Sequence, residues 1–204
     1  HDLIESIVAA MDARDAYTAK HSDRVADMVL VLATALDLSE DETTLLHMAA
    51  HLHDIGKIAV PDSVLRKAGP LTNPEWEEMR RHPVTGYEIL RKVDDFKEIA
   101  VLVRHHHERW DGRGYPDGLR GADIPLGSRI LAVADSIDAM MSSRSYRPAM
   151  TSAACRREIE RNSGIMYDPR VAAAALAHWD ELVSRYAEAD TPQTPYFDRM
   201  QLEH

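Results

Sequence analysis

The hydrophobic positions along the chain repeat with the period of an α-helix. Val25, Val29, Leu32 and Leu36 are spaced by four, three and four residues, which predicts a helix that begins near His21 and has one apolar face. The same kind of spacing recurs later in the chain, at Ile130, Val133, Ala134, Ile137 and Met141. No segment alternates regularly enough between apolar and polar residues to predict a strand. The pattern therefore predicts an all-α fold.

Helix starts are marked by capping residues. Ser39 followed by Glu42 has the spacing of a capping box and predicts the beginning of a second helix. An N-cap before a proline at the first helical position is predicted at two further places, Asn73-Pro74 and Asp168-Pro169. These signals divide the chain into helices of ordinary length.

Two stretches interrupt the helices. Residues 56–72 mix glycine, proline and polar residues, and residues 110–128 hold five glycines and two prolines. A loop as long as the second one is usually functional inside a compact domain. We expect one domain over residues 1–186, a C-terminal tail over 187–201 and, at 202–204, the remnant of a histidine tag.

Composition and charge narrow the classes of function. The chain has 204 residues and a net charge of −10, which disfavours binding to a long polyanion such as DNA. A single cysteine, Cys155, excludes an internal disulfide framework, so a reducing cytoplasmic location is expected. No apolar run reaches the roughly 18 residues that a membrane span needs.

The pair His53-Asp54 is the first sign of chemistry, and Gly56-Lys57 follows it closely. An adjacent imidazole and carboxylate can both reach one divalent cation, and the two carboxylate oxygens can bridge two cations. A lone pair of this kind is more often a capping aspartate beside a surface histidine. The pair therefore needs partners elsewhere in the chain.

Such partners follow in order along the sequence. His82 opens a predicted helix, and His106-His107 comes directly before the glycine-rich loop. Adjacent histidines lie about 100° apart on a helix, so both converge on one ion only where the helix end points at it.

Asp135 and Asp138 lie in a largely apolar predicted helix, three residues apart. A buried carboxylate needs a partner, and a metal ion is one candidate. For Asp135 the alternative is a salt bridge to an arginine such as Arg129 or Arg144. For Asp138 the alternatives are acceptance of a hydrogen bond from a ligand histidine, acceptance of a proton, helix capping, or a salt bridge.

These motifs together resemble a known family. The succession His21, His53-Asp54, Asp135 is similar to the ligand set of the HD phosphohydrolase superfamily. Residues 106–116, which read HHERWDGRGYP, resemble the signature of its HD-GYP subfamily. Further matches are found at residues 52–58, at Ile124-Pro125 and at residues 144–147. The resemblance implies a helical bundle with a long GYP loop.

The resemblance also implies a centre of two divalent metal ions. Its ligands would be the residues at the matching positions, His21, His53, Asp54, His82, His106, His107 and Asp135. Asp54 would bridge the ions, His53 and Asp135 would serve the first ion, and the second would be completed by His82, His106 and His107. His21 would lie near the first ion or in an outer shell. Iron or manganese is expected, and zinc or nickel can replace them.

One departure concerns a third ion. Some family members carry a glutamate four residues before the first histidine that helps to bind a third metal. Tyr17 stands at that position here, and Asp15 lies two residues earlier. Because tyrosine is a poor ligand for most divalent ions, two metals are expected, with the role of Asp15 left open.

The implied substrate is cyclic di-GMP, cleaved to pGpG with GMP as a further product. The expected catalytic residues are Lys57 and Asp54, with Asp138 added for the role of proton acceptor, one of those open to it. Lys57 matches a lysine on the scissile phosphate and Tyr115 a tyrosine beside the substrate, while Arg144 and Arg147 match basic residues that meet its phosphate or guanine. The alternatives are 3′3′-cyclic GMP-AMP as the substrate, or a non-catalytic module that binds a cyclic dinucleotide or a partner protein. A fused regulatory domain, contacts with diguanylate cyclase domains and a homodimer are also expected.

Overall fold

In the computed structural model, the described residues, 21–143 and 148–189, form ten α-helices and no β-strand. The first five helices are α1 (His21–Ala35), α2 (Glu40–Leu52), α3 (Asp62–Leu65), α4 (Asn73–Met79) and α5 (His82–Leu90). The next five are α6 (Lys97–Arg104), α7 (Leu126–Met141), α8 (Ser152–Arg161), α9 (Pro169–Ala177) and α10 (Trp179–Ala189). The predicted all-α fold is confirmed.

The core lies where α1 packs between α2 and α7. Three residues of the predicted apolar face of α1, Val25, Val29 and Leu32, have no exposed surface, whereas Leu36 is half-buried and follows the end of the helix. The predicted face of α7 is buried as well, apart from Met141 near its end, which is half-buried. Helices α6, α8, α9 and α10 close the core around these three. Burial of these apolar side chains fixes the relative positions of the helices that carry the polar motifs.

The capping box at α2 is confirmed. The Glu42 carboxylate accepts hydrogen bonds from the Ser39 backbone amide at 2.9 Å and from its hydroxyl at 2.7 Å, and the Glu42 amide donates to the Ser39 hydroxyl. Asp168 caps α9, as predicted, by accepting the Arg170 amide at 2.8 Å. Both caps satisfy amide groups that a helix cannot pair internally.

The prediction that Asn73 caps α4 is wrong by one residue. Thr72 is the N-cap, and Asn73 is the first residue of the helix. The Glu75 carboxylate accepts the Thr72 amide at 2.7 Å and the Thr72 hydroxyl at 2.9 Å, forming a capping box. Thr72 is the N-cap rather than Asn73 because Glu75, three residues after Thr72, can complete the capping box with it.

The two interrupting stretches differ in structure. Residues 56–72 contain most of a 3₁₀ turn, Ile55–Ala59, and the whole of α3, so this stretch is more regular than its composition indicates. Residues 110–128 hold only a short 3₁₀ turn, Gly121–Asp123, before α7 begins, and form the predicted long loop. Gly114 lets the loop fold back on the chain, because a Cβ there would lie 2.3 Å from the Arg109 amide nitrogen.

Several predictions lie outside the described residues. They are those that concern Asp15, Tyr17, Arg144, Arg147 and residues 202–204. Helix α10 runs to Ala189, three residues into the stretch expected to be a tail. Among the described residues, no helix is long and apolar enough to cross a membrane.

Candidate metal centre

Seven predicted ligands are brought together at the ends of several helices. They lie at the start of α1, just after α2, at the start of α5, just after α6 and within α7. In that order they are His21, His53 with Asp54, His82, His106 with His107, and Asp135. Residues at helix ends can aim their side chains along the helix axis, which explains how adjacent histidines converge on one place.

A close approach at Gly56 brings the turn after α2 onto α5. A Cβ on Gly56 would lie 1.8 Å from the His82 carbonyl oxygen and 2.6 Å from the Gly86 amide nitrogen. Only glycine fits there, because any side chain would push the two backbones apart. The contact places the Oδ1 atom of Asp54 3.4 Å from the Nε2 atom of His82.

The first cluster consists of His21, His53, Asp54 and Asp135. The Nε2 atom of His21 lies 3.3 Å from that of His53 and 3.4 Å from the Oδ1 atom of Asp135. The Oδ2 atom of Asp54 lies 3.5 Å from the Nε2 atom of His53. Three histidine and carboxylate ligand atoms here, those of His21, His53 and Asp54, all lie within 4.8 Å of one another.

The second cluster consists of His82, His106 and His107. The Nε2 atoms of His82 and His106 are 3.3 Å apart, and the rings of His106 and His107 are 4.0 Å apart. One nitrogen from each of the three rings lies within 4.8 Å of the others. Asp54 faces this cluster through Oδ1 and the first cluster through Oδ2, so the carboxylate lies between the two.

The ring orientation of three histidines follows from their backbone contacts. The Nδ1 atoms of His53, His82 and His106 each lie 2.6 to 2.8 Å from the carbonyl oxygen three residues earlier. Because a carbonyl only accepts, each Nδ1 carries a proton, so that in its neutral form each ring presents its Nε2 lone pair to the cluster. This arrangement is typical of histidines that bind metals.

Burial keeps the second cluster uncharged at neutral pH. It lowers the pKa of His106 and of His107 well below the usual range, and neighbouring imidazoles lower both further. Burial likewise lowers the pKa of His82, to about 4, against the opposing pull of Asp54. Neutral imidazole is the form that binds metal ions, so these rings are prepared for ligation.

His21 in the first cluster behaves in the opposite way. Burial again opposes protonation, but the hydrogen bond to Asp138 and the charges of Asp135 and Asp54 together raise the pKa of His21. The carboxylates therefore give the first cluster a preference for positive charge that the second cluster lacks.

Asp138 lies on the far side of the His21 ring from the cluster. Its buried carboxylate accepts the Nδ1–H of His21 at 2.6 Å and the Nε–H of Arg24 at 2.5 Å. It also accepts hydrogen bonds from the hydroxyls of Tyr186 and Ser142. Of the roles that the sequence left open for Asp138, this geometry favours a hydrogen-bond acceptor that orients the ligand histidine His21. A salt bridge to Arg24 holds the carboxylate in place.

The predicted salt-bridge partner of Asp135 has another role. Arg129 binds the Asp168 carboxylate at 2.6 Å, while Asp135 faces His21. The second arginine considered for that role, Arg144, lies outside the described residues.

Two predicted substrate-binding residues line the clusters. The Nζ atom of Lys57 lies 2.5 Å from the Oδ2 atom of Asp54. Burial opposes ionisation of Asp54, but the charge of Lys57 and the nearby histidines hold its pKa well below the usual range. The Tyr115 ring lies 4.9 Å from the His107 ring, so the GYP loop reaches the second cluster.

Sequence reasoning missed three residues that support the site. The buried Glu108 accepts the backbone amides of Asp117 and Gly118, which fastens the long loop beside His107. Arg24 and Tyr186 hold Asp138. Arg24 could have been predicted to lie beside the site, because it follows His21 by one helical turn. No sequence pattern connects Tyr186 with α7.

The donor set fits divalent metal ions. Pairs of Nε2 atoms face one another at 3.3 Å in each cluster, and in the second cluster both belong to rings whose proton is on Nδ1. Two lone pairs at that distance repel each other unless a cation lies between them. Imidazole with carboxylate is a donor combination that suits iron, manganese and zinc.

Comparison with known families agrees with this arrangement. The family model for the HD domain matches residues 3–171. The chain belongs to the HD domain family. Curated relatives include the cyclic di-GMP phosphodiesterase response regulator RpfG of Xanthomonas campestris pv. campestris, 41% identical over 92% of this chain and 51% of that protein. The resemblance to the HD-GYP subfamily is thereby confirmed.

Two further relatives are named for different cyclic dinucleotides. The cyclic di-GMP phosphodiesterase of Thermotoga maritima is 38% identical over 96% of this chain and 54% of its own length. The 3′3′-cGAMP-specific phosphodiesterase 2 of Vibrio cholerae is 40% identical over 90% of this chain and 35% of its own length. The chain thus spans about half, or less, of the length of these relatives.

Solved structures share the HD fold. The cyclic GMP-AMP phosphodiesterase V-cGAP3 of V. cholerae has a TM-score of 0.68 at 21% identity, over 98% of this chain and 52% of that one. Bd1817 from Bdellovibrio bacteriovorus has a TM-score of 0.65 at 18% identity, over 82% of this chain and 53% of that one. At these identities the likeness concerns the fold alone.

Proposed function

We propose that the HD domain of this chain is a metal-dependent phosphodiesterase that hydrolyses cyclic di-GMP to pGpG, with GMP as a further product. The observation that carries the proposal is the position of Asp54, whose two oxygens face two separate groups of histidines. A carboxylate in that position is the bridge that a dinuclear hydrolase needs.

In this proposal each cluster holds one ion. The first ion would be held by His21, His53, Asp54 and Asp135, and the second by Asp54 with His82, His106 and His107. Iron or manganese suits both, because the first cluster mixes oxygen with nitrogen and the second is rich in nitrogen. Zinc or nickel would be accepted by the same donors.

The chemistry divides between the ions and the protein. When bound, two ions would supply Lewis acidity that makes a water nucleophilic near neutral pH and neutralises charge on the phosphate oxygens. Lys57 lies within 2.5 Å of Asp54, at the place where it would donate to a non-bridging oxygen of the scissile phosphate. Tyr115 lies beside the second cluster, at the position where the resemblance implies a tyrosine next to the substrate.

The substrate is proposed on the names of the relatives. Two of the relatives described above are named for cyclic di-GMP and one for 3′3′-cyclic GMP-AMP. Both compounds are cyclic dinucleotides with two phosphodiesters, so both are assayed. Arg144 and Arg147 are proposed to meet a phosphate or a guanine, as the resemblance implies.

The test is turnover after anaerobic reconstitution with iron or manganese. We expect conversion of cyclic di-GMP to pGpG by the wild type and none by His53→Ala/Asp54→Ala. A matched control is His178→Ala/Asp180→Ala, which removes an exposed histidine and an exposed aspartate away from both clusters and keeps wild-type turnover. Cyclic GMP-AMP is compared in the same assay, and the larger kcat/KM decides the preferred substrate.

If the fully metallated wild type binds cyclic di-GMP tightly without cleaving it, the proposed phosphodiesterase activity is wrong. The chain would then be a module that reports the dinucleotide. We also propose a cytoplasmic setting and a fused regulatory domain.

Two partners are proposed as well. Light scattering would test for a homodimer, and pull-down with a diguanylate cyclase domain would test for contact with such domains.

A further inference from the structure

The guanidinium of Arg80, the residue directly after α4, lies close to two aromatic rings. Its guanidinium carbon is 5.4 Å from the centre of the Tyr115 ring and 5.9 Å from that of the Trp76 ring. Trp76 precedes Arg80 by one helical turn, so the helix itself sets one of these contacts. Rings hold a guanidinium through its flat faces and leave its N–H edges free to donate.

The charge of Arg80 is not neutralised by an ion pair within the described parts of the chain. Its neighbour Arg81 differs, since the Arg81 guanidinium lies 3.2 Å from the Glu78 carboxylate. Both arginines are exposed and adjacent in sequence, but Arg80 faces Tyr115 of the GYP loop, whereas Arg81 faces Glu78 of α4. A guanidinium beside the GYP loop that has no ion pair among the described residues can bind an anion, even in a chain with a net charge of −10.

Arg80 is also close to the proposed metal centre. The Tyr115 ring lies 4.9 Å from the ring of His107, and His82 follows Arg80 by two residues. The side chains of Trp76, Arg80, Tyr115 and His107 thus form a continuous row from solvent to the second cluster. Trp76, which is 46% exposed, forms the outer end of the row.

We propose that Arg80 and Trp76 form a second nucleotide subsite, in which Arg80 binds the phosphate that is not being cleaved. The inference rests on the proposed function and deepens it. While one phosphate lies at the metal centre, the other must lie some distance away, where a free guanidinium edge can donate two hydrogen bonds to it. The exposed ring of Trp76 then offers a stacking face to the adjacent base.

The test compares a substrate that has two phosphates with one that has a single phosphate. Steady-state kinetics on cyclic di-GMP and on bis(p-nitrophenyl) phosphate are measured for the wild type, Arg80→Ala, Arg80→Lys and Arg81→Ala. We expect Arg80→Ala to lower kcat/KM for cyclic di-GMP roughly tenfold more than for the small diester, mainly through KM. Arg80→Lys restores part of the loss, because it keeps the charge without the fork.

Arg81→Ala serves as the matched control and leaves both substrates unchanged. Equal losses on both substrates in Arg80→Ala, or no loss on either, would overturn the subsite. So would an Arg81→Ala variant that behaves like Arg80→Ala, because general surface charge would then explain the effect.

The design separates failure of the subsite from failure of the proposed function. If the wild type cleaves cyclic di-GMP and Arg80→Ala does so with the same KM, the subsite alone fails. If the wild type cleaves only the small diester, the proposed substrate fails, and equilibrium binding of cyclic di-GMP then decides on Arg80. Binding that is equal in the wild type and Arg80→Ala, or absent from both, overturns the subsite as well.

Discussion

The two clusters of the metal centre reach similar geometry by different means. In the first cluster, carboxylates surround His21 and raise its pKa. In the second cluster, buried imidazoles surround one another and their pKa values fall, to about 4 for His82. The first cluster therefore attracts cations by charge before any ion binds, whereas the second does so through neutral lone pairs.

The means of holding the rings differ as well. His82 and His106 are fixed by backbone carbonyls at 2.8 and 2.6 Å, which no side-chain substitution removes. His21 is fixed by the Asp138 side chain, which depends in turn on Arg24 and Tyr186. The first cluster is consequently open to adjustment through distant residues, while the second is built into the helix ends.

The largest effect is expected where the clusters meet. Asp54→Asn removes the negative charge of the carboxylate that faces both clusters, so we expect kcat to fall roughly 1,000-fold or more. The number of tightly bound ions per chain should fall with it. Turnover of cyclic di-GMP and metal content by mass spectrometry measure the two consequences.

An exposed aspartate supplies the control for that change. Asp41→Asn in the first turn of α2 is expected to leave turnover and metal content as they are, since this side chain lies far from both clusters. An Asp54→Asn protein that keeps two ions and near-normal kcat would show that the clusters work without a shared carboxylate.

The second largest effect is expected on the free energy of unfolding of the metal-free protein at acidic pH. Because the folded pKa of His82 lies near 4 rather than 6.5, the unfolded chain takes up a proton that the folded protein refuses between these values. The free energy of unfolding should therefore fall as the pH drops through this window, by about 3 kcal/mol for His82 alone. Urea unfolding with a chelator at pH 7, 5.5 and 4 measures the loss.

Variants assign that loss to the second cluster. His82→Gln should show a shallower decline with acid than the wild type, and His178→Gln, which removes an exposed histidine, the same decline as the wild type. His21 has a raised pKa, so its contribution is present at low pH and is lost as the pH rises through that value. If His82→Gln and His21→Gln change the slope in the same direction, the contrast between the clusters is wrong.

The contrast could be predicted only in part from the sequence. The helices follow from local periodicity, and the ligand residues follow from motifs of neighbouring residues such as His53-Asp54. The division of Asp54 between two clusters depends on the contact of Gly56 with the backbone of α5. That contact joins segments that local patterns treat separately, so it appears only in the folded chain.

The network behind His21 shows the same limit more strongly. The spacing from Asp135 marks Asp138 as a candidate, but the sequence leaves several roles open for it. Only its partners in the fold, His21 and Arg24, decide between these roles. Tyr186 lies 48 residues from Asp138 and carries no motif, so no pattern in the sequence connects the two. Choices of this kind depend on side-chain packing between distant helices.

A third prediction weakens the first cluster without touching a ligand. Asp138→Asn removes the charge that supports His21, and we expect metal affinity at the first cluster to fall roughly 10- to 100-fold. Affinity at the second cluster should not change, so a titration with manganese followed by calorimetry should show one weakened step of two. Two equally weakened steps would mean that the clusters share their support.

The smallest expected effect tests how far that support extends. Tyr186→Phe removes one hydrogen bond from Asp138 and leaves those of Arg24 and His21 in place. A hydrogen bond to a charged group contributes about 1.5 to 3 kcal/mol, but this one acts on the metal only through Asp138 and His21, so metal affinity at the first cluster should fall only about fivefold. Ser184→Ala, which removes a hydroxyl from the same helix, is the control, because that hydroxyl bonds only to the Glu181 carbonyl among the described contacts. An effect of Tyr186→Phe as large as that of Asp138→Asn would make the tyrosine, rather than the carboxylate, the group that fixes the first cluster.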